Sequence, residues 1–287
     1  MAASVANEDY PGHAVLRPSA WTSPCVFASP HSGRRYPARF LSASRLTLLE
    51  LRRSEDAYVD ALLPTPDALG APILRADFPR AFVDVNRAPY ELDPLLFDAP
   101  VAADAARSGR VLAGFGVVPK LAAEGRAIYA RRLPAQEARA RIRMCYHPYH
   151  AALRGLITEC LTRFGEATLI DVHSMPSAGA GRSLPGVVLG DRFGASCAPD
   201  AIRAWERAFR AQDFSTARNT PYAGGYVTSL YGRPGERVHV IQIEINRGLY
   251  LDERQVARSA RFGATKAALG RVLTGAARPV APSLAAE

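Results

Sequence analysis

The chain has 287 residues, 48% apolar and 22% charged, a balance that fits an ordinary globular protein and excludes wholesale disorder. Its net charge of +9 comes largely from Arg scattered along helical patterns without interleaved aromatics, which favours attraction of a small anion over a nucleic-acid groove. No run approaches the ~20 apolar residues of a membrane span, the N-terminus lacks a secretory pattern, and four dispersed cysteines form no CxxC pair, so a cytoplasmic protein with reduced thiols is expected.

Residues 1–22 lack periodicity and read as an N-terminal extension over the surface. Cys25–Ser29 (CVFAS) is a short apolar strand leading into the turn Pro30-His31-Ser32-Gly33. Leu46–Leu63 has helical spacing and stops at Pro64, and Ala81–Val85 (AFVDV) is another apolar run ending at Asn86-Arg87. A long helical stretch spans about Ala135 to Phe164, with Pro148 predicting a kink or restart and Gly165 a stop. Thr168–Val172 (TLIDV) reads as a strand ending at His173, Pro199–Gln212 as a helix, and Val238–Ile245 (VHVIQIEI) as the strongest strand. The segment 273–287 is Ala/Pro-rich and reads as a flexible tail, leaving 23–272 as a single domain. This alternation predicts an α/β three-layer sandwich around a central mixed sheet. Ligands of such sheets bind at the carboxyl ends of strands. His31, Asn86-Arg87 and His173 each lie just past an apolar run, where such a site would form.

Several of these residues have the chemistry of a metal site. Period-2 alternation places Asp171 and His173 on one face, as a metal ligand with a supporting carboxylate would be; a hydrogen-bonded core histidine gives the same pattern. His31 in its tight turn carries the same two readings. Asp56 and Asp60 fall one helical turn apart beside apolar side chains, where a buried carboxylate needs a cation or an Arg partner. Glu244 lies near the end of a very apolar strand, where desolvation would raise its pKa toward that of a general base; an edge strand with one wet face is the alternative. Asn86-Arg87 offers an amide and a planar fork for a carboxylate, with Arg80 close enough in sequence to reach the same cavity. His150 shares a helical stripe with Leu153 and Ile157 and reads as a core histidine beneath the site rather than a ligand.

Taken in order, these segments resemble the N-formylglutamate amidohydrolase family. The resemblance rests on Pro30-His31-Ser32-Gly33, Glu55-Asp56 with Val59-Asp60, Val83-Asp84-Val85-Asn86-Arg87, Pro148-Tyr149-His150 and Asp171-Val172-His173-Ser174. Leu189-Gly190-Asp191, Gly224-Gly225-Tyr226-Val227-Thr228 and Gln242-Ile243-Glu244-Ile245 extend it over roughly Pro24 to Glu253. It implies a phosphorylase/hydrolase-like fold akin to zinc exopeptidases and aspartoacylases, with Zn2+ on His31, Asp56 and His173. Glu244 would be the base, Arg80 an oxyanion stabiliser, and Asn86, Arg87, Arg247 and Thr228 substrate-binding residues. In carboxypeptidases the carboxylate ligand lies three residues after the first His; here Arg34 holds that place, so Asp56 substitutes, with Glu55 its rival. The implied reaction is hydrolysis of a small anionic N-acyl amino acid, N-formyl-L-glutamate foremost, in histidine catabolism. The competing readings are a zinc amidase for another N-acyl amino acid or a cell-wall peptide, and a non-catalytic binder of acidic metabolites or nucleic acid.

Overall fold

The structure, a computed structural model, describes residues 10–101, 108–179 and 182–278. Seven strands form the main sheet: β1 (His13–Leu16), β2 (Cys25–Ser29), β3 (Ile73–Ala76), β4 (Ala167–Met175), β5 (Val187–Gly190), β6 (Thr216–Arg218) and β7 (Val238–Asn246). Their spatial order is β1-β3-β2-β4-β7-β5-β6. The middle four, β3-β2-β4-β7, run parallel, whereas β1 and β5 pair antiparallel with their inner neighbours. The sheet is therefore mixed, with β4 and β7 at its centre. Strands covered on both faces read as near-continuous apolar runs, which is why Val238–Ile245 stands out in the sequence.

Side chains alternate between two cores. Val26, Ala28, Leu169 and Val240 face one layer, while Phe27, Ile170, Val172, Ile241 and Ile243 face the other. Helices cover both faces: α1 (Leu48–Arg52), α2 (Val59–Leu62), α3 (Ala135–Arg141), α4 (His147–Phe164), α5 (Pro199–Arg210), α6 (Tyr226–Tyr231) and α7 (Phe262–Ala276) are those that bear on the argument. α4 packs under the first face; α5 and α7 carry buried residues of the second. This is the expected three-layer α/β sandwich.

Three local expectations change, and the interruption expected at Pro148 is present. The single helix over Leu46–Leu63 is two: Thr47 and Glu50 form a capping box that starts α1, and Tyr58 at φ +62° breaks the path before α2. Asp56 and Asp60 consequently do not share a helical face; Asp60 pairs with Arg34 at 3.1 Å. Ala81–Val85 is not a strand. It is a fully buried turn whose Asp84 N–H donates to Val117 O at 2.9 Å, and its apolarity reflects burial without period. Between α3 and α4 the chain widens into a π-turn over Ile142–Tyr146, just ahead of Pro148, whose missing N–H removes one helical hydrogen bond.

Two elements lie across the expected segment boundaries. β1 lies inside the segment read as an extension and zips antiparallel onto β3. α7 crosses the boundary at 273, because Val272 and Leu273 are buried in the second core. The rest of the expected tail, 279–287, and residues 1–9 lie outside the described residues. All four cysteines are free and buried, and among the described residues no helix is long and apolar enough to cross a membrane.

Candidate active site

Three side chains from distant parts of the chain meet at the carboxyl end of β2 and β4. His31 follows β2, Asp56 lies in the irregular turn after α1, and His173 is in β4. Asp56 is held to the first of these by its backbone, whose N–H donates to His31 O at 3.0 Å. Gly33 lets the His31 turn lie against the backbone of residues 77–78; a Cβ there would stand 2.2 Å from Phe78 O. The imidazole centroids are 4.8 Å apart. Asp56 Oδ2 is 3.1 Å from His173 Nδ1 and 3.4 Å from His31 Nδ1. One ligand atom from each of the three falls within 4.8 Å of the others, and all three residues are buried.

The opposite ring nitrogens fix the orientation. His31 Nε2 donates to Asp84 Oδ1 at 2.8 Å, and His173 Nε2 donates to Asp171 Oδ2 at 2.9 Å. A carboxylate can only accept, so each Nε2 carries a hydrogen and each Nδ1 is turned to Asp56. Asp56 Oδ1 is occupied elsewhere, by Arg247 Nη2 at 3.0 Å and Ser174 Oγ at 3.2 Å, which leaves Oδ2 for the imidazoles. His31 Nδ1 is buried with no hydrogen-bond partner. Two imidazole nitrogens and one carboxylate oxygen, each backed by an orienting group, form a donor set suited to a borderline cation, and such a cation would satisfy the orphaned nitrogen.

The electrostatics agree. Burial disfavours charge on Asp56, but the imidazoles of His173 and His31 and the charge of Arg80 outweigh it and hold its pKa well below the usual range. Burial likewise disfavours charge on His173, yet Asp171 and Asp56 raise its pKa well above the ordinary value. The surroundings thus favour positive charge beside Nδ1, whether a proton or a metal ion.

Glu244 stands beside this cluster by strand register. β4 and β7 are parallel neighbours with His173 level with Glu244 and Asp171 level with Gln242. Gln242 Oε1 accepts from Gly225 N–H at 2.8 Å and Asn86 Nδ2 at 3.3 Å, so its amide nitrogen must face Glu244, to whose Oε1 it donates at 2.9 Å. Burial pushes the Glu244 carboxyl up to about 7, against the lowering pull of His173. It opens onto a cavity of about 650 Å³, which His31, His173, Arg80, Asn86, Arg87 and Arg247 also line.

The remaining expectations divide. Arg80 donates to Asp84 Oδ2 at 2.9 Å and faces the cavity. Arg87 spends Nε on Phe115 O at 2.9 Å and Nη1 on Asn86 O at 2.7 Å, leaving Nη2 toward the cavity, 3.9 Å from Asp84. Asn86 accepts Val227 N–H at 2.9 Å through its side-chain oxygen and donates through Nδ2 to Gln242 Oε1 at 3.3 Å; Nδ2 also lies 3.5 Å from the protonated His173 Nε2, so at most one amide hydrogen is left for a ligand. Arg247 is not a free substrate clamp: besides Asp56 it donates to Ser174 Oγ at 3.0 Å and Arg53 O at 3.2 Å, so it braces the centre. Thr228 is not a substrate contact either. It is fully buried with its hydroxyl on Gly225 O at 2.7 Å. Glu55 turns away, accepting from Tyr36 OH at 2.8 Å and from Arg52, which leaves Asp56 as the carboxylate of the centre. His150 is the expected core histidine, with Nε2 donating to Val85 O at 2.9 Å and Nδ1 accepting from Tyr231 OH at 2.8 Å.

Two roles escape the sequence reading. Asp84 orients His31, and Gln242 orients Glu244; the available signal was a polar residue inside each apolar run, FVDV and VIQIEI.

Fold and site together define a three-layer α/β protein with a candidate metal centre beside a buried acid. The profile of the N-formylglutamate amidohydrolase family matches residues 23–251. The chain is 30% identical over 239 residues to an N-formylglutamate deformylase of Pseudomonas aeruginosa, covering 80% of this chain and 83% of that one. It is 31% identical over 242 residues to one of Pseudomonas putida, covering 81% and 83%. A crystal structure of N-formylglutamate amidohydrolase from Ralstonia eutropha JMP134 superposes with a TM-score of 0.87 at 34% identity, over 93% of this chain and 97% of that chain. The chain belongs to the N-formylglutamate amidohydrolase family, and it is an amidohydrolase of that family.

Proposed function

We propose that this protein is a zinc-dependent deformylase that converts N-formyl-L-glutamate and water to formate and L-glutamate. The observation that carries the reading is the convergence of His31 Nδ1, His173 Nδ1 and Asp56 Oδ2 beside a buried Glu244. The relatives named N-formylglutamate deformylase support the substrate.

Those three atoms would hold zinc. Bound there, zinc supplies Lewis acidity, polarising the scissile carbonyl and lowering the pKa of the attacking water. Glu244 accepts a proton from that water and returns it to the amide nitrogen as the C–N bond breaks. A carboxyl lifted to about 7 by burial is matched to both transfers near neutral pH. Gln242 keeps the carboxylate aimed, and Asp84 and Asp171 keep both imidazoles in register. Arg80 stabilises negative charge developing on the carbonyl oxygen. Arg87 and the remaining Asn86 amide hydrogen hold the carboxylate next to the scissile amide. We place the reaction in the cytoplasm, in histidine breakdown. A binder without catalysis would leave Glu244 with no task beside the cluster.

One observation favours a second substrate. Phe115, Pro119 and Leu121 give the cavity an apolar side that a formyl group does not need, and a longer N-acyl chain would use it. Release of formate from N-formyl-L-glutamate and of acetate from N-acetyl-L-glutamate separates the two. Formate release at the higher kcat/KM supports the deformylase, and preference for the acetyl compound replaces it with the broader deacylase.

A further inference from the structure

With Arg247 committed to Asp56, the second acidic group of a dicarboxylate needs another partner, and the cavity lining holds one. Arg110 lies on the short helix Gly109–Leu112 and lines the same cavity as Arg80 and Arg87. Phe115 ties two of these arginines to one wall: its N–H donates to Arg110 O at 2.8 Å, and its carbonyl accepts from Arg87 Nε at 2.9 Å. The carboxylates around Arg87 are already engaged: Glu91 accepts from Ser108 Oγ at 2.7 Å and from Ala88 N–H at 2.9 Å. Asp84 is engaged by His31 at 2.8 Å and Arg80 at 2.9 Å, while Arg87 Nη2 stands 3.9 Å away. Among the described residues Arg110 has no hydrogen bond or ion pair from its guanidinium. Burial lowers the Arg87 pKa, the carboxylates of Asp84 and, more weakly, Glu91 act to raise it, and the positive charges of Arg80 and Arg110 lower it. Two guanidinium groups facing one cavity without a full counter-charge form a receptor for two negative charges.

We infer that Arg87 and Arg110 form a two-point reader of dicarboxylates, with Arg87 on the carboxylate beside the scissile amide and Arg110 on the distal one. Which carboxylate each takes rests on the proposed deformylase reading; the preference for two charges over one does not. Arg110 is then the residue that selects an acidic amino-acid side chain.

Calorimetric titration of the full chain with glutarate and with butyrate tests this without requiring turnover. Wild type binds glutarate at least about tenfold more tightly than butyrate, as one extra charge-assisted contact provides. Arg110→Gln weakens glutarate by about 10- to 100-fold and leaves butyrate within about twofold, butyrate binding reporting that the pocket is intact. Arg110→Lys keeps part of the preference, retaining the charge but not the fork. A preference that survives in Arg110→Gln, or that wild type lacks, overturns the inference. Wild type that releases no formate from N-formyl-L-glutamate, yet loses its glutarate preference in Arg110→Gln, retains the reader and removes the deformylase reading.

Discussion

At the residue scale, the site divides its carboxylates by environment. Asp84 and Asp171 take imidazole hydrogens, Asp56 turns one oxygen to the ring nitrogens, and Glu244 is lifted toward neutrality. Different roles for chemically similar groups follow from different neighbours. Glu244→Gln preserves the hydrogen-bonding shape but removes the base, so zinc content should be unchanged while kcat drops by about 10²- to 10⁴-fold. Undiminished turnover would remove Glu244 from the chemistry. Asp84→Ala frees His31 to rotate and lose its tautomer, and zinc affinity measured against a competing chelator should fall by about 10- to 100-fold. An unchanged affinity would make Asp84 a partner of Arg80 only.

At the element scale, β4 and β7 position the chemistry, because parallel register sets His173 beside Glu244 and Asp171 beside Gln242. These two strands were the most legible parts of the sequence, since unbroken apolar runs carrying one or two polar residues mark a buried strand with a task. Asp56 was legible as a residue but not as a position: its segment has helical spacing, and the break at Tyr58 depends on tertiary packing that spacing does not encode. The Asp84 turn has the apolarity of a strand end because burial alone makes a segment apolar. Arg247 and Thr228 were assigned by family resemblance, which cannot show that their polar atoms are already engaged.

The loop before α6 is pressed against the site. A Cβ at Gly225 would lie 2.3 Å from Asn86 Nδ2, so Gly225→Ala should displace Asn86, loosen Gln242 and lower kcat/KM, with about 1–3 kcal/mol lost in denaturant unfolding. Wild-type stability and activity in this variant would show the contact to be slack. Below the site, α4 carries His150, whose burial lowers its pKa to about 4. Between that value and the unfolded value of about 6.5, the unfolded chain binds a proton that the folded chain does not. Stability is therefore greatest above pH 6.5 and declines as pH falls to 4, by up to about 3 kcal/mol from this residue. In His150→Gln, unfolding free energies at pH 7.5 and 5 should lie closer together than in wild type; an identical difference in both proteins would assign the acid sensitivity elsewhere.

At the scale of the whole molecule, the sheet brings together residues 31, 56, 173 and 244, which no local segment could unite. Its carboxyl edge gathers imidazoles, carboxylates and guanidinium groups around one cavity, an arrangement suited to binding a cation and an anionic substrate together. The central claim is that His31, Asp56 and His173 hold one zinc ion through the two Nδ1 atoms and one carboxylate oxygen. Anomalous diffraction across the zinc absorption edge, on crystals of the zinc-loaded protein, tests it most directly. The account predicts a single strong peak about 2.0–2.2 Å from His31 Nδ1, His173 Nδ1 and Asp56 Oδ2. A peak elsewhere, or ligation through Nε2 with Asp84 and Asp171 displaced, would contradict it.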